Sequence, residues 1–278
     1  MSVSARKSCV VRVKIPTNPD NCRVLWIRHG ETAWNTEKRF QGHLDIPLND
    51  TGHRQASLLA ARLATEYASG HAARPAVRAH VSHLYSSDLS RAAQTAGHIG
   101  TALDLRLNTL PGLRERNYGD LAGLTGDEMA AQFPSVYKGL SERQPDAELP
   151  GGESLRQFYE RIIASARELV ARHQGETICV VVHGGVLDCI YRQALGIALP
   201  QPRAWLLANA SINIVDHGVA RTGAPASDSV ANHASRHGSD RAGDHTTKAT
   251  EDRWQIVSWA DTAHLSMQAR DEVDGRIA

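Results

Sequence analysis

The sequence predicts an α/β protein in which helices cover both faces of a mostly parallel sheet, a three-layer α/β/α sandwich. Three observations predict it. Thr177 to Val182 reads Thr-Ile-Cys-Val-Val-Val, apolar on both faces, as an interior parallel strand must be when helices lie above and below it. Strand-like runs alternate with helical periodicity along the chain. The two sharpest polar motifs, Arg28-His29-Gly30 and His183-Gly184-Gly185, each follow an apolar run directly. Open α/β sheets bind their ligands at the carboxyl ends of strands, which is where these motifs fall.

The elements follow in order. Residues 1–22 are expected to be an N-terminal extension: Arg6 and Lys7 give a basic start, but Arg12 and Lys14 interrupt Val10, Val11 and Val13, so the unbroken apolar stretch of a signal peptide is not expected there. Val24-Leu25-Trp26-Ile27 is a buried strand. Asn49-Asp50-Thr51-Gly52 starts a helix that Ala56, Leu59, Leu63 and Tyr67 continue at helical spacing. Val81 to Tyr85 is a second strand, and Ser86-Ser87-Asp88 caps a helix running to about Leu103. Thr125 and Glu128 have the spacing of a capping box. Leu155, Phe158, Ile162, Leu169 and Val170 mark one face of a long helix ending near His173. The strand Thr177 to Val182 then leads to a helix over Gly185 to Leu195.

Ser211 to Val215 and Trp254 to Trp259 read as strands flanking residues 217–252. That segment is rich in Ala, Ser, Gly, Asp and His, with Val219 and Val230 its only large aliphatics, and it cannot bury enough surface to fold alone. It is therefore expected to be a disordered insertion within a single domain spanning residues 23–265, with 266–278 as a tail. Its histidines, His217, His233, His237 and His245, have neither a helix to align them nor a carboxylate spaced to complete a metal site.

Composition narrows the function classes. The 31 Lys and Arg nearly cancel the 30 Asp and Glu, which argues against a nucleic-acid binder. No apolar run approaches the ~20 residues of a membrane span. Cys9, Cys22, Cys179 and Cys189 form no C-x-x-C pair, so a reduced, cytoplasmic setting is expected rather than a disulfide framework or a zinc ribbon. Phosphate-loop, dinucleotide-fingerprint, nucleophile-elbow and H-E-x-x-H motifs do not occur.

The chemistry must then lie with the histidines. A lone histidine is ordinarily structural, and the chain has 14; two in matched positions after strands point to a shared site. Arg91, in the first helical turn after Ser86-Ser87-Asp88, can face the same cleft and form with Arg28 a two-guanidinium clamp on a phosphate, or it can make a surface salt bridge. Glu115 between Arg114 and Arg116 has, by itself, the look of an exposed charge cluster.

The ordered set of motifs resembles the histidine phosphatase superfamily, the phosphoglycerate-mutase-like proteins. It runs Arg28-His29-Gly30-Glu31-Thr32-Ala33-Trp34-Asn35, Phe40-Gln41-Gly42 with Pro47-Leu48, and Ser86-Ser87-Asp88-Leu89-Ser90-Arg91. It continues through the Glu115 block, Gly151-Gly152-Glu153-Ser154 and Val182-His183-Gly184-Gly185 to Asn209-Ala210-Ser211 and Trp259 to His264. The resemblance implies a phosphoglycerate-mutase-like fold and phosphoryl transfer without metal or cofactor. It implies His29 as the nucleophile, Arg28, Arg91 and His183 as phosphoryl-binding groups, and Glu115 as the proton donor. Substrate contacts are implied at Thr32, Asn35, Gln41, Gly42, Arg116, Tyr118 and Gly184.

The superfamily holds phosphatases and mutases. Between Glu115 and His183 this chain offers Lys138 and Arg143 but no adjacent arginine pair for a substrate carboxylate, and Gly185 stands where the mutases carry asparagine. The expectation is a phosphatase of a small phosphorylated metabolite. A cofactor-dependent mutase is the first alternative, and a non-catalytic phospho-ligand-binding module, with the insertion as docking segment, is the second. Trp34, Phe40, Tyr118 and the stretch Phe133 to Tyr137 are expected to shape specificity. No nucleic-acid or membrane partner is expected. Trp205, Leu206 and Leu207 are open between core and a homodimer interface.

Overall fold

A computed structural model describes residues 21–67, 80–219 and 252–265. Among them a six-stranded sheet has the order β3-β2-β4-β1-β5-β6. Strands β1 (Cys22–Arg28), β2 (His83–Ser86), β3 (Leu107–Thr109) and β4 (Thr177–Val182) run parallel, whereas β5 (Ile212–Val219) and β6 (Asp252–Asp261) complete one side antiparallel. The predicted three-layer, mostly parallel architecture is the one observed.

Alternation along the central strands divides the core. Val24 and Trp26 of β1, with Ile178, Val180 and Val182 of β4, face helices α6 (Leu155–Ala171) and α7 (Gly184–Leu195) through Phe158, Ile162, Leu169 and Ile190. Leu25 and Ile27, with Cys179 and Val181, face α2 (Asp50–Tyr67) and α3 (Ser90–Leu103) through Leu59, Leu63, Ala96 and Ile99. All of β4 is buried, which explains the absence of polar alternation in its sequence. Truncating one of these fully buried leucines or isoleucines to alanine costs about 2–5 kcal/mol. A smaller cluster of Phe40, Leu121, Met129 and Leu140 seats α4 (Gly126–Gln132) and α5 (Pro134–Ser141) beside the carboxyl ends of the strands. The predicted capping box is present: Thr125 Oγ1 accepts from the Glu128 N–H, and Glu128 accepts from the Thr125 N–H. Ser154 and Gln157 cap α6 in the same way.

Two expectations need correction. Strand β5 runs on through His217 to Val219, and β6 begins at Asp252, with His217 opposite Trp254 and Val219 opposite Asp252. The ends of the 217–252 segment are therefore paired strand, and His217 is a core residue whose Nε2 accepts from Trp26 Nε1 at 3.3 Å. Positions 220–251, with His233, His237 and His245, lie outside the described residues, as do 1–20 and 266–278.

Second, Ser86-Ser87-Asp88 does not cap α3. The N-cap is Leu89, which makes no side-chain cap, and Asp45 Oδ1 accepts from the Ser90 N–H at 2.7 Å. Asp88 is drawn off by Arg114, whose Nε donates to it at 2.8 Å. The short strand β3 carries only three residues, too few for a periodicity to show in the sequence. Of the three residues open between core and interface, Leu207 is buried, Leu206 is exposed, and Trp205 stacks on Tyr191 at 4.3 Å between ring centroids and lies under the Arg192 guanidinium. Among the described residues no helix is long and apolar enough to cross a membrane.

Candidate active site

The site forms where the carboxyl ends of β1, β4 and β2 meet. Strands β1 and β4 pair in register, Arg28 opposite Val182, so the residues that follow each are neighbours. The His29 N–H donates to the Val182 carbonyl at 3.0 Å, and the His29 and His183 rings lie 5.2 Å apart in an edge-on arrangement. The matched His-Gly pairs thus share one site.

The turn after His29 is held from several directions. Thr95 Oγ1 accepts from the Gly30 N–H, Gln55 Oε1 from the Glu31 N–H, and the His29 carbonyl accepts from Asn209 Nδ2 at 3.0 Å. Gly30 and Gly52 approach so closely that a Cβ on Gly30 would lie 2.5 Å from the Gly52 carbonyl oxygen, so the start of α2 fixes this turn by backbone contact. His29 Nδ1 sits 2.7 Å from the Gly30 carbonyl. Donation across that contact leaves the Nε2 lone pair as the ring's reactive position.

His29 and His183 are both buried. Burial, reinforced by the nearby Arg91 and Arg28 charges, holds the His29 imidazole well below its usual pKa, and the same causes act on His183. Both rings are therefore neutral at physiological pH. Arg28 and Arg91 are pushed down to about 10, chiefly by burial, and remain cationic. Arg28 donates through Nη1 to the Leu207 carbonyl, and Arg91 donates to the carbonyls of Gly42 at 2.8 Å and Leu44 at 3.0 Å. Arg91 is therefore not part of a surface salt bridge. Arg28 Nε, Arg91 Nε and both ring nitrogens of His183 are buried without a hydrogen-bond partner among the described residues. Unmet buried donors of this kind cost about 1–3 kcal/mol each. Several together around one histidine make a receptor for an anion.

Glu115 lies on the other side of the site. Its Oε2 accepts from the Gly185 N–H at 2.9 Å and its Oε1 from the Arg116 N–H at 2.8 Å. Its backbone carbonyl is fixed by Arg161 and His43, and Arg161 is itself clamped by Glu153 through Nε at 2.7 Å and Nη2 at 2.8 Å. The Glu115 charge acts on both Arg28 and Arg91, which places it close to the anion receptor.

The other predicted contacts differ in exposure. Thr32 is fully buried; its N–H and hydroxyl both reach Asn35 Oδ1, and the pair cap the short helix α1 (Ala33–Thr36). Gln41 is buried with Oε1 unpartnered among the described residues, and the Gly42 carbonyl serves Arg91. Arg116 is buried, donates to the Glu153 carbonyl and lies over the Tyr118 ring. Gly184 packs against Arg28 Nε, where a Cβ would sit 3.5 Å away.

Sequence reasoning missed Asn209, Thr95, Gln55, Arg161 and Arg203 as parts of the site. The first four bind backbone groups or another side chain, and no spacing in the sequence marks such contacts. Arg203 adds its field to that of Arg28 and Tyr118 from a loop without any motif.

A family model described as histidine phosphatase superfamily, branch 1, matches residues 24–224. The chain belongs to the histidine phosphatase superfamily. Phosphoglycerate mutase-like protein 4 of Arabidopsis thaliana is 39% identical over 197 residues, 70% of this chain and 79% of the relative. A metal-independent phosphoserine phosphatase of the same plant is 34% identical over 245 residues, 87% and 83% of the two chains. Among solved structures, a mycobacterial glucosyl-3-phosphoglycerate phosphatase in complex with VO3 has a TM-score of 0.59 and 28% identity, over 70% of this chain and 90% or more (91%) of that one. This histidine phosphatase carries the full ordered motif set on the described part of the fold.

Proposed function

We propose that the chain hydrolyses phosphomonoesters of small metabolites, without metal, through a phosphohistidine at His29. The observation that carries this is the set of unmet buried donors on Arg28, Arg91 and His183 beside a neutral, oriented His29. His29 Nε2 attacks phosphorus, the ester P–O bond breaks, and Glu115 delivers its proton to the departing oxygen. Glu115 then takes a proton from water, the water oxygen attacks phosphorus, and the P–N bond breaks to release phosphate and restore the imidazole. Arg28, Arg91 and His183 hold the equatorial oxygens, where charge spreads in the transition state. The phosphatase names of the plant and mycobacterial relatives support hydrolysis.

Beyond Glu115 the site is cationic. Arg116 and Arg203 both act on Tyr118, and Arg143 adds to them. The substrate class that fits is a phosphomonoester bearing a second acidic group near the leaving oxygen. A cytoplasmic setting goes with this reading, since Cys179 and Cys189 are buried side chains of β4 and α7. One observation favours a second reading, transfer between two positions of one substrate: the 39% identical relative is named mutase-like.

The test is phosphate release from a phosphomonoester panel in EDTA, with 3-phosphoglycerate isomerisation followed in parallel, for wild type and His29→Ala. The expected result is turnover in EDTA that the substitution abolishes, with an acid-labile phosphoprotein trapped in wild type only. Isomerisation faster than release would make the chain a mutase, and wild-type turnover in His29→Ala would overturn both readings.

A further inference from the structure

At the opposite end of the sheet from His29, two histidines and a carboxylate converge. His83 lies at the start of β2, and His173 and Glu176 lie in the connection from α6 to β4. The backbone fixes their spacing: the Ser82 N–H donates to the Thr177 carbonyl, His83 pairs with Ile178, and the Glu176 N–H donates to the His173 carbonyl. His83 Nδ1 is 2.9 Å and His173 Nδ1 3.1 Å from the same oxygen, Glu176 Oε2. Ligand atoms of all three residues lie within 4.8 Å of one another.

The surrounding groups suit metal ligation. Glu176 Oε2 also accepts from Ser82 Oγ at 2.7 Å, so three donor groups crowd one carboxylate oxygen. A cation ligated by both Nδ1 lone pairs relieves that crowding, because each imidazole proton then sits on Nε2. His173 Nε2 already faces the Tyr85 hydroxyl at 2.9 Å, the outer-shell partner that fixes a metal-binding tautomer. Ser82 likewise orients the carboxylate. A tetrahedral zinc with ligand distances of about 2.0–2.1 Å needs ligand atoms about 3.4 Å apart, and those of this cluster lie within 4.8 Å of one another. Imidazole nitrogens select a borderline cation such as zinc over magnesium or calcium.

We propose that His83, His173 and Glu176 form a zinc site that ties β2 to the α6–β4 connection and stabilises the fold. It stands at the amino ends of β2 and β4, whereas the phosphoryl site stands at the carboxyl ends, so it takes no part in phosphoryl transfer. Water completes the fourth position, since His83 and Glu176 are partly exposed.

The test uses the full chain, dialysed in chelator-free buffer with zinc chloride or magnesium chloride. Metal content and melting temperature are measured for wild type, His83→Ala and Glu176→Gln. Both substituted positions are partly exposed, and far-UV circular dichroism reports that each variant folds. The expected result is one more zinc per chain in wild type than in either variant, no retained magnesium, and a zinc-dependent rise in melting temperature seen in wild type only. Equal zinc content in wild type and both variants, as binding at other histidines would give, overturns the proposal. An equal zinc response of the melting temperature in all three proteins also overturns it.

Discussion

The carboxylate of Glu115 occupies the space that a side chain at Gly185 would fill. A Cβ on Gly185 would lie 2.2 Å from Glu115 Oε1 and 3.1 Å from the Phe158 ring, while the Gly185 N–H donates to Oε2 at 2.9 Å. The second His-Gly-Gly motif thus positions the acid of the first half of the chain as well as presenting His183. Gly185→Ala is expected to push the carboxylate off the leaving oxygen and lower kcat about 10²-fold, the lower end of the range a general acid contributes. KM and the melting temperature should change little, because Glu115 is a side-chain end that can rotate away. Steady-state kinetics beside Glu115→Gln checks this, and a kcat equal to wild type would show that Glu115 does not act from its observed position.

Arg91 has two tasks that lysine cannot perform together. Its Nη atoms tie down the Gly42 and Leu44 carbonyls while Nε faces the anion receptor. Lysine keeps the charge but is a single point donor. Arg91→Lys is therefore expected to lower kcat/KM about 10²–10³-fold, the loss typical of one transition-state donor, and to weaken inhibition by phosphate. Retained kcat/KM would assign Arg91 to loop packing alone.

Much of this was legible in the sequence, for identifiable reasons. The β4 run, with no polar alternation, specified an interior strand, and the two His-Gly pairs at strand ends specified the shared site, because parallel pairing in register makes such residues neighbours. The capping box at Thr125 is local and so readable. The Ser86-Ser87-Asp88 cap failed because Arg114, distant in sequence, takes Asp88. The ends of the 217–252 segment failed because His217 is polar by composition yet fills a core position against Trp26 and Trp254. Asn209 lies in a motif of the family resemblance without a role, and Arg161 leaves no pattern at all, because they brace His29 and Glu115 through backbone carbonyls.

The activity should persist on the acid side of neutrality. A free imidazole loses its attacking lone pair to protonation as pH falls through about 6.5. Burial, Arg91 and Arg28 hold the His29 value well below that, so the lone pair is retained as pH drops from 7 toward 5. The kcat/KM profile in EDTA is expected to show no fall centred near pH 6.5. A one-proton loss of activity centred there, beyond that of the substrate's own phosphate, which titrates at about pH 6, would mean that His29 is solvated and protonated in the working enzyme.

Stability, in contrast, should fall with acid, and His217 gives the sign. Burial between Trp26 and Trp254 pushes its imidazole down to about 3, whereas in the unfolded chain it takes a proton near 6.5. Between those values the unfolded state binds more protons, so unfolding free energy decreases as pH decreases, by roughly 1.4 kcal/mol per pH unit from this residue. The contribution is complete above the unfolded value and is lost progressively down to the folded one. His217→Gln keeps an acceptor for Trp26 Nε1 and removes the titration. Urea unfolding at pH 6, 5 and 4 is expected to give a slope shallower than wild type by about that amount, the rest coming from His29, His183 and the arginine-paired carboxylates Asp88, Glu153 and Asp261. Identical slopes in the two proteins would place a proton on His217 in the folded state and break its role as a neutral core acceptor.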